Sequence, residues 1–307
     1  MAKLPHSNLD VFPLCLGGNV FGWTANEAES FAVLDAYAEA GGNFIDSADV
    51  YSAWVPGNKG GESERILGRW MAARKNRAKV MIATKVGAAP GRDNLKPATI
   101  RAAVEDSLER LQSDYIDLYY AHQDDANTPQ EETAHAFDVL VKEGKVRDIA
   151  ASNFKAARLA SALELSKRHG LARYVAVQPQ YNLVDREYEQ ELQPLCEREG
   201  VACIPYYSLA RGFLSGKYRP GAKVQSPRAE KASEYLDDRG LRVLGLLDEL
   251  AAQHAVPVSA IALAWLKAQP TVLAPIASAR TTEQLRELVE LRDVVLDAGA
   301  LKRLNEI

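Results

Sequence analysis

At 307 residues the chain exceeds the usual length of one domain, although α/β barrels run this long as single units. Its 47% hydrophobic and 25% charged residues are those of a globular protein able to bury a large core, which excludes a disordered chain. With 37 basic against 41 acidic side chains the net charge is −4, and no basic cluster is dense enough to track a phosphate backbone, so nucleic acid is excluded as a partner.

No apolar run reaches the roughly 18 to 20 residues of a membrane span. Residues 1–10 lack the apolar core of a signal peptide, so a cytoplasmic protein with no membrane partner is expected. Cys15, Cys196 and Cys203 lack metal-ligand spacing and read as buried free thiols.

Short β-branched runs alternate with longer segments of helical period, the mark of βαβ units around a parallel sheet. Eight strands are predicted, at 14–17, 43–45, 80–84, 115–121, 146–150, 175–177, 201–205 and 272–276. Helical stretches fall at 27–40, 62–75, 97–111, 129–143, 155–169, 187–199 and 237–269, the last split by Pro257, with a final helix at 298–306. Pro97 and Pro129 suit first helical turns, and Gly41, Gly144, Gly170 and Gly200 suit left-handed caps. The one long irregular segment, 206–235, follows the seventh strand, where a loop of this length is usually functional.

The polar, chemically able residues sit at the carboxyl ends of these runs. They are Asp46 after strand two, Lys85 after three, His122 after four, Ser152 and Asn153 after five, Gln178 after six, Tyr206 after seven, and Ser278 and Arg280 after eight. A doubly wound open sheet shares the alternation but concentrates its ligands at one switch point. A closed (β/α)8 barrel brings all eight ends to one mouth, so a TIM barrel over residues 1–307 is the expected fold, with a long loop after strand seven and an extra C-terminal helix.

At such a mouth Asp46, Tyr51, Lys85 and His122 make an acid–base site. A phenol of pKa about 10 is a poor proton donor near neutrality. Lys85 is expected to lower that value, Asp46 to keep the lysine ionised, and His122 to hold a substrate oxygen. Trp23 and Trp54, on the loops after strands one and two, are expected to line a substrate pocket with Tyr51 and His122. Trp70 and Trp265 read as core, and His6, His135, His169 and His254 as surface residues. A metal at His122–Asp125 is not expected, because the other strand ends offer Lys, Asn, Gln and Tyr instead of carboxylates. Lys85 also permits a second reading, as the nucleophile of a Schiff-base lyase. Residues 17–22 have the wrong spacing for G-x-G-x-x-G, which argues against a Rossmann cofactor domain.

The chain resembles the aldo-keto reductase family along essentially its whole length. The resemblance rests on GGNVFGW at 17–23, NFIDSADVY at 43–51, GGESERILGRW at 60–70, ATKVG at 83–87, DLYYAHQDD at 117–125, GKVRDIAASNF at 144–154, QPQYNL at 178–183, YYSLARGFLSGKY at 206–218 and APIASARTTEQL at 274–285. These segments look most similar to the bacterial branch that also resembles potassium-channel β subunits. The resemblance implies a (β/α)8 barrel that binds NADPH, in preference to NADH, without a Rossmann motif. It also implies reversible reduction of aldehydes or ketones, with a small carbonyl or alcohol as the partner.

Carried over by position, Asp46, Tyr51, Lys85 and His122 match the family's catalytic tetrad, with Tyr51 as general acid. Gly18, Asn19, Trp23 and Asp46 match positions near the cofactor. Ser152, Asn153 and Gln178 match residues that bond the nicotinamide carboxamide, and Tyr206 matches the aromatic stacked on its ring. Tyr207, Ser208, Leu209, Ala210, Arg211 and Gly212, with Lys217, match the loop over the pyrophosphate. Ser278, Arg280 and Gln284 match the adenosine end, where Arg280 would pair with a 2′-phosphate, and Arg228 is a further phosphate candidate. Leu288 departs from the Asn common at its position. A non-catalytic reading, as a cofactor-binding subunit of the channel type, is disfavoured by the intact tetrad.

Overall fold

Each β-branched run becomes a strand wherever a helix follows to cover its outer face. The computed structural model describes Met1–Ile307. A short antiparallel hairpin, β1 (Ala2–Lys3) and β2 (Asp10–Val11), precedes eight parallel strands. These are β3 (Cys15–Gly17), β4 (Phe44–Asp46), β5 (Met81–Val86), β6 (Ile116–Ala121), β7 (Val146–Ser152), β8 (Tyr174–Gln178), β9 (Ala202–Cys203) and β10 (Ile276–Ala277). Neighbours run in chain order from β3 to β9, with β10 beside β3. The last seam is closed by Cys203 N–H donating to Thr271 O at 2.8 Å, Leu273 N–H to Cys203 O at 2.9 Å and Ile276 N–H to Pro205 O at 2.9 Å. The expected (β/α)8 barrel is therefore the fold.

Around it lie α1 (Glu27–Glu39), α2 (Glu62–Arg74), α3 (Pro97–Leu111), α4 (Gln130–Lys142), α5 (Ala156–His169), α6 (Leu192–Glu199), α7 (Ala229–Ser233), α8 (Asp238–His254), α9 (Val258–Lys267), α10 (Thr282–Val289) and α11 (Ala298–Glu306). Inside the barrel Phe44, Ala83, Leu118, Tyr120, Ala150 and Ala176 meet, and Leu4, Leu9 and Val11 of the hairpin join the same cluster and plug one end. A larger apolar layer, holding Trp70 and Trp265, fills the space between strands and helices. The three cysteines are free and buried.

Several boundaries differ from the sequence reading. Strands five and three run two residues further than expected and take in Ser152 and Lys85. Strand eight shrinks to Ile276–Ala277, because Pro275 can supply only its carbonyl to the ladder, to Cys15 N–H at 3.0 Å. The helix expected at 187–199 is a 3₁₀ turn, Glu187–Glu189, followed by α6. Pro257 turns α9 away from α8 by 96°. The irregular segment 206–235 holds a 3₁₀ turn, Ala210–Ser215, and the short α7. No single helix is long and apolar enough to cross a membrane.

One close approach fixes α2 on α3. A Cβ on Gly68 would stand 2.3 Å from Arg110 O and 2.8 Å from Leu111 C, both backbone atoms that cannot swing aside. Gly68→Ala gains up to about 1 kcal/mol of helix propensity but meets an overpacking cost of about 1–3 kcal/mol. A net loss is expected, read as a lower Tm with α-helical content unchanged.

Candidate active site

Asp46 ends β4, and the turn that follows returns Tyr51 to the barrel mouth. Lys85, inside β5, is fully buried and spends its three ammonium protons on Asp46 Oδ2 at 2.7 Å, Ser47 O at 2.6 Å and Tyr51 Oη at 2.8 Å. The Tyr51 phenol donates to Asp46 Oδ2 at 2.9 Å, and Gln178 Nε2 donates to Asp46 Oδ1 at 2.9 Å. One carboxylate thus fixes three side chains drawn from two further strands and a loop, and its buried charge is matched by the ammonium beside it.

The expectation that Lys85 lowers the Tyr51 pKa is corrected here. Burial raises it first, and the adjacent Asp46 carboxylate adds to the rise, so the phenol is held well above its ordinary value. Tyr51 rests as a firmly protonated hydroxyl. His122 stands beside it, with ring centroids 6.4 Å apart, and its Nδ1 is buried without a partner. Burial and the Lys85 charge push the imidazole down to about 3, so it is neutral at any physiological pH.

Tyr51 and His122 open onto a cavity of ≈ 1190 Å³. That exceeds the roughly 300–1,000 Å³ of an ordinary small-molecule pocket and leaves room for two reactants. Asn19, Trp23, Asp46, Trp54, Ser152, Asn153, Gln178, Tyr206, Tyr207, Ser208, Leu209, Arg211, Gly212, Lys217, Arg228, Ser278, Arg280 and Gln284 also line it, as the sequence reading expected. Three expected residues do not. Gly18 is buried behind the wall, where a Cβ would stand 2.8 Å from Ser63 Oγ and 2.9 Å from Asp46 O, and Ala210 is enclosed within its own turn. Lys85 reaches the cavity only through Tyr51.

At one end of the cavity Trp23 meets Trp54 edge-on at 5.6 Å, Trp54 lies 6.2 Å from Tyr51, and the Arg228 guanidinium sits 5.6 Å over Trp23. On the wall beyond His122, Asn153 Nδ2 donates to His122 O at 2.9 Å, and its Oδ1 accepts from Tyr206 Oη at 2.8 Å. Asn153 holds φ at 58°, a left-handed conformation that Asn tolerates better than most side chains. Asp124 and Asp125 are committed elsewhere, Asp124 to both Nε and Nη2 of Arg158 at 2.8 Å and Asp125 to Leu95 N–H at 2.9 Å.

The lining also carries cations. Lys217, Arg228 and Arg280 line the cavity, and none of them has a carboxylate within ion-pairing distance. Burial first, then the neighbouring Arg280 and Arg228, push the Lys217 ammonium down. Ser278 Oγ donates to Asn19 Oδ1 at 2.7 Å, and the Gln284 carboxamide accepts from Arg280 N–H at 3.0 Å. Leu288 fills the wall where the resemblance implies an Asn.

The aldo/keto reductase family model matches residues 13–307. The chain belongs to the aldo/keto reductase family. It is 35% identical to norsolorinic acid reductase stcV of Emericella nidulans, over 92% of this chain and 74% of that one. It is 33% identical to the uncharacterized oxidoreductase YrpG of Bacillus subtilis, over 99% and 94%, and 31% identical to protein tas of Escherichia coli, over 99% and 96%. The family acts on small carbonyl compounds with a nicotinamide cofactor, and the unpaired cations and the size of the cavity fit a phosphate-bearing dinucleotide.

Glu287 and Ser259 also line the cavity and escaped the sequence reading. Glu287 falls one residue before Leu288, on α10, a helix not expected at all. Its signal was present in the capping spacing of Thr281 and Gln284, where Thr281 Oγ1 accepts from Gln284 N–H at 3.3 Å. Ser259 follows an ordinary Pro helix start and carries no such signal.

Proposed function

We propose that the protein reduces aldehydes or ketones to alcohols with NADPH, and that Tyr51 delivers the proton. The observation that carries this reading is Tyr51 Oη, on the cavity wall, bonded at 2.8 Å to a buried ammonium. When bound, the dinucleotide supplies the hydride. Tyr51 gives its proton to the carbonyl oxygen as negative charge develops there, and the Lys85 ammonium stabilises the phenolate left behind. His122, being neutral, orients the same oxygen by hydrogen bonding. Trp23 and Trp54 exclude water and pack the rest of the substrate.

Ser152, Asn153 and Gln178 would hold the nicotinamide carboxamide, and Tyr206 would stack on its ring. The 206–217 loop with Arg228 would take the pyrophosphate, and Arg280 the 2′-phosphate. The relatives named norsolorinic acid reductase favour a carbonyl as the group reduced. A Schiff-base lyase using Lys85 is disfavoured because all three donors of that lysine are committed and it has no face on the cavity.

The direct test is NADPH oxidation followed by absorbance over a panel of aldehydes and ketones, repeated with NADH. A protein that binds NADPH yet turns over no member of the panel would support the regulatory-subunit reading instead. Arg280→Ala is expected to raise the Kd for NADPH by about tenfold or more, the worth of one charge-assisted pair, with little change for NADH. Equal weakening of both would remove Arg280 from 2′-phosphate recognition.

A further inference from the structure

Helix α9 begins in the wall of the cavity with nothing to cap it. Pro257 occupies the N-cap position without a side-chain hydrogen bond, and the N–H groups of Val258 and Ser259 donate to no protein group. Ser259 itself is only 2% exposed, lines the cavity, and leaves its Oγ without a partner. A buried hydroxyl left unpaired costs about 1–3 kcal/mol, which the fold tolerates if a ligand satisfies it.

The surroundings say what kind of ligand that is. The 3₁₀ turn Ala210–Ser215 packs against α9, and a Cβ on Gly216 would stand 3.3 Å from Val258 Cβ. The same turn brings Lys217 Nζ to 3.8 Å from the Cβ position of Gly212, and both residues line the cavity with Ser259. A helix start with free N–H groups, an unpaired hydroxyl and a lysine whose neighbours are cations together select an anion.

We propose that Ser259 Oγ and the first turn of α9 bind the pyrophosphate of the dinucleotide. This rests on the reading of the protein as a nicotinamide enzyme. The pyrophosphate fits better than the 2′-phosphate because the corner adjoins the turn that leads to Lys217. Arg280 lies on the neighbouring connection, between β10 and α10, with its own N–H closed by Gln284.

The experiment compares Ser259→Ala with wild type, measuring the Kd of NADPH and of NADH by calorimetry and the Tm of the nucleotide-free protein. Both Kd values should rise together by about tenfold, because both nucleotides carry the pyrophosphate. The nucleotide-free Tm should hold or rise, since the substitution deletes an unpaired buried hydroxyl and installs a better helix former. Unchanged affinity, weakening of NADPH alone, or a lowered Tm without a change in Kd would each overturn the assignment. If wild type bound neither nucleotide, the reductase reading itself would fall and the inference with it.

Discussion

Tyr51→Phe is expected to lower kcat for carbonyl reduction by about 10²–10⁴-fold, the usual worth of a positioned general acid. NADPH affinity should stay close to wild type. The substitution removes one hydroxyl and keeps the ring, so the packing against Trp54 and His122 persists. Lys85 keeps two of its three acceptors, Asp46 and Ser47 O, and the ion pair survives. The stability cost should therefore be on the order of 1 kcal/mol, small enough that folded variant is assayed. His122 cannot replace the lost acid, because an imidazole pushed down to about 3 has no second proton to give near neutrality. Turnover at the wild-type rate, measured with saturating NADPH, would falsify the assignment.

The raised Tyr51 pKa also clarifies what Lys85 does. In the resting site the phenol points its proton at Asp46 and stays protonated, so Lys85 contributes little to the ground state of the acid. In the proposed reaction its contribution would come as the proton leaves, when a phenolate beside a buried ammonium would replace a neutral hydroxyl. That is stabilisation felt in the transition state more than before it, the kind that raises kcat.

The grouping of Asp46, Tyr51, Lys85 and His122 is legible in the sequence because strand periodicity and polar strand ends are local signals, and because barrel closure turns eight separated ends into one site. Less legible was where each strand stops. A charge or hydroxyl reads as the end of an apolar run, which puts Lys85 and Ser152 at the carboxyl ends of their strands, yet β5 runs on past Lys85 and β7 takes in Ser152. Lys85 is admitted to the barrel interior by Asp46, a partner 39 residues away on the next strand. No window of sequence contains that pairing. The sign of the Tyr51 shift was missed for the same reason, since it depends on how deeply the hydroxyl is buried and on which oxygen it faces. Ser259 was invisible because its significance is an absence of partners, which only the packed structure reveals.

Lys85→Met should damage both chemistry and stability. The side chain is similar in length and apolar, so the volume is filled, but Asp46 is left 1% exposed with no opposing charge. Removing one partner of a buried pair costs about 3–5 kcal/mol. The variant should therefore melt at a clearly lower Tm than wild type, measured at neutral pH. Turnover should fall by at least about 10²-fold, with NADPH affinity largely retained because Lys85 has no face on the cavity. An unchanged Tm would mean that the ion pair is not what holds Asp46 in place behind Tyr51.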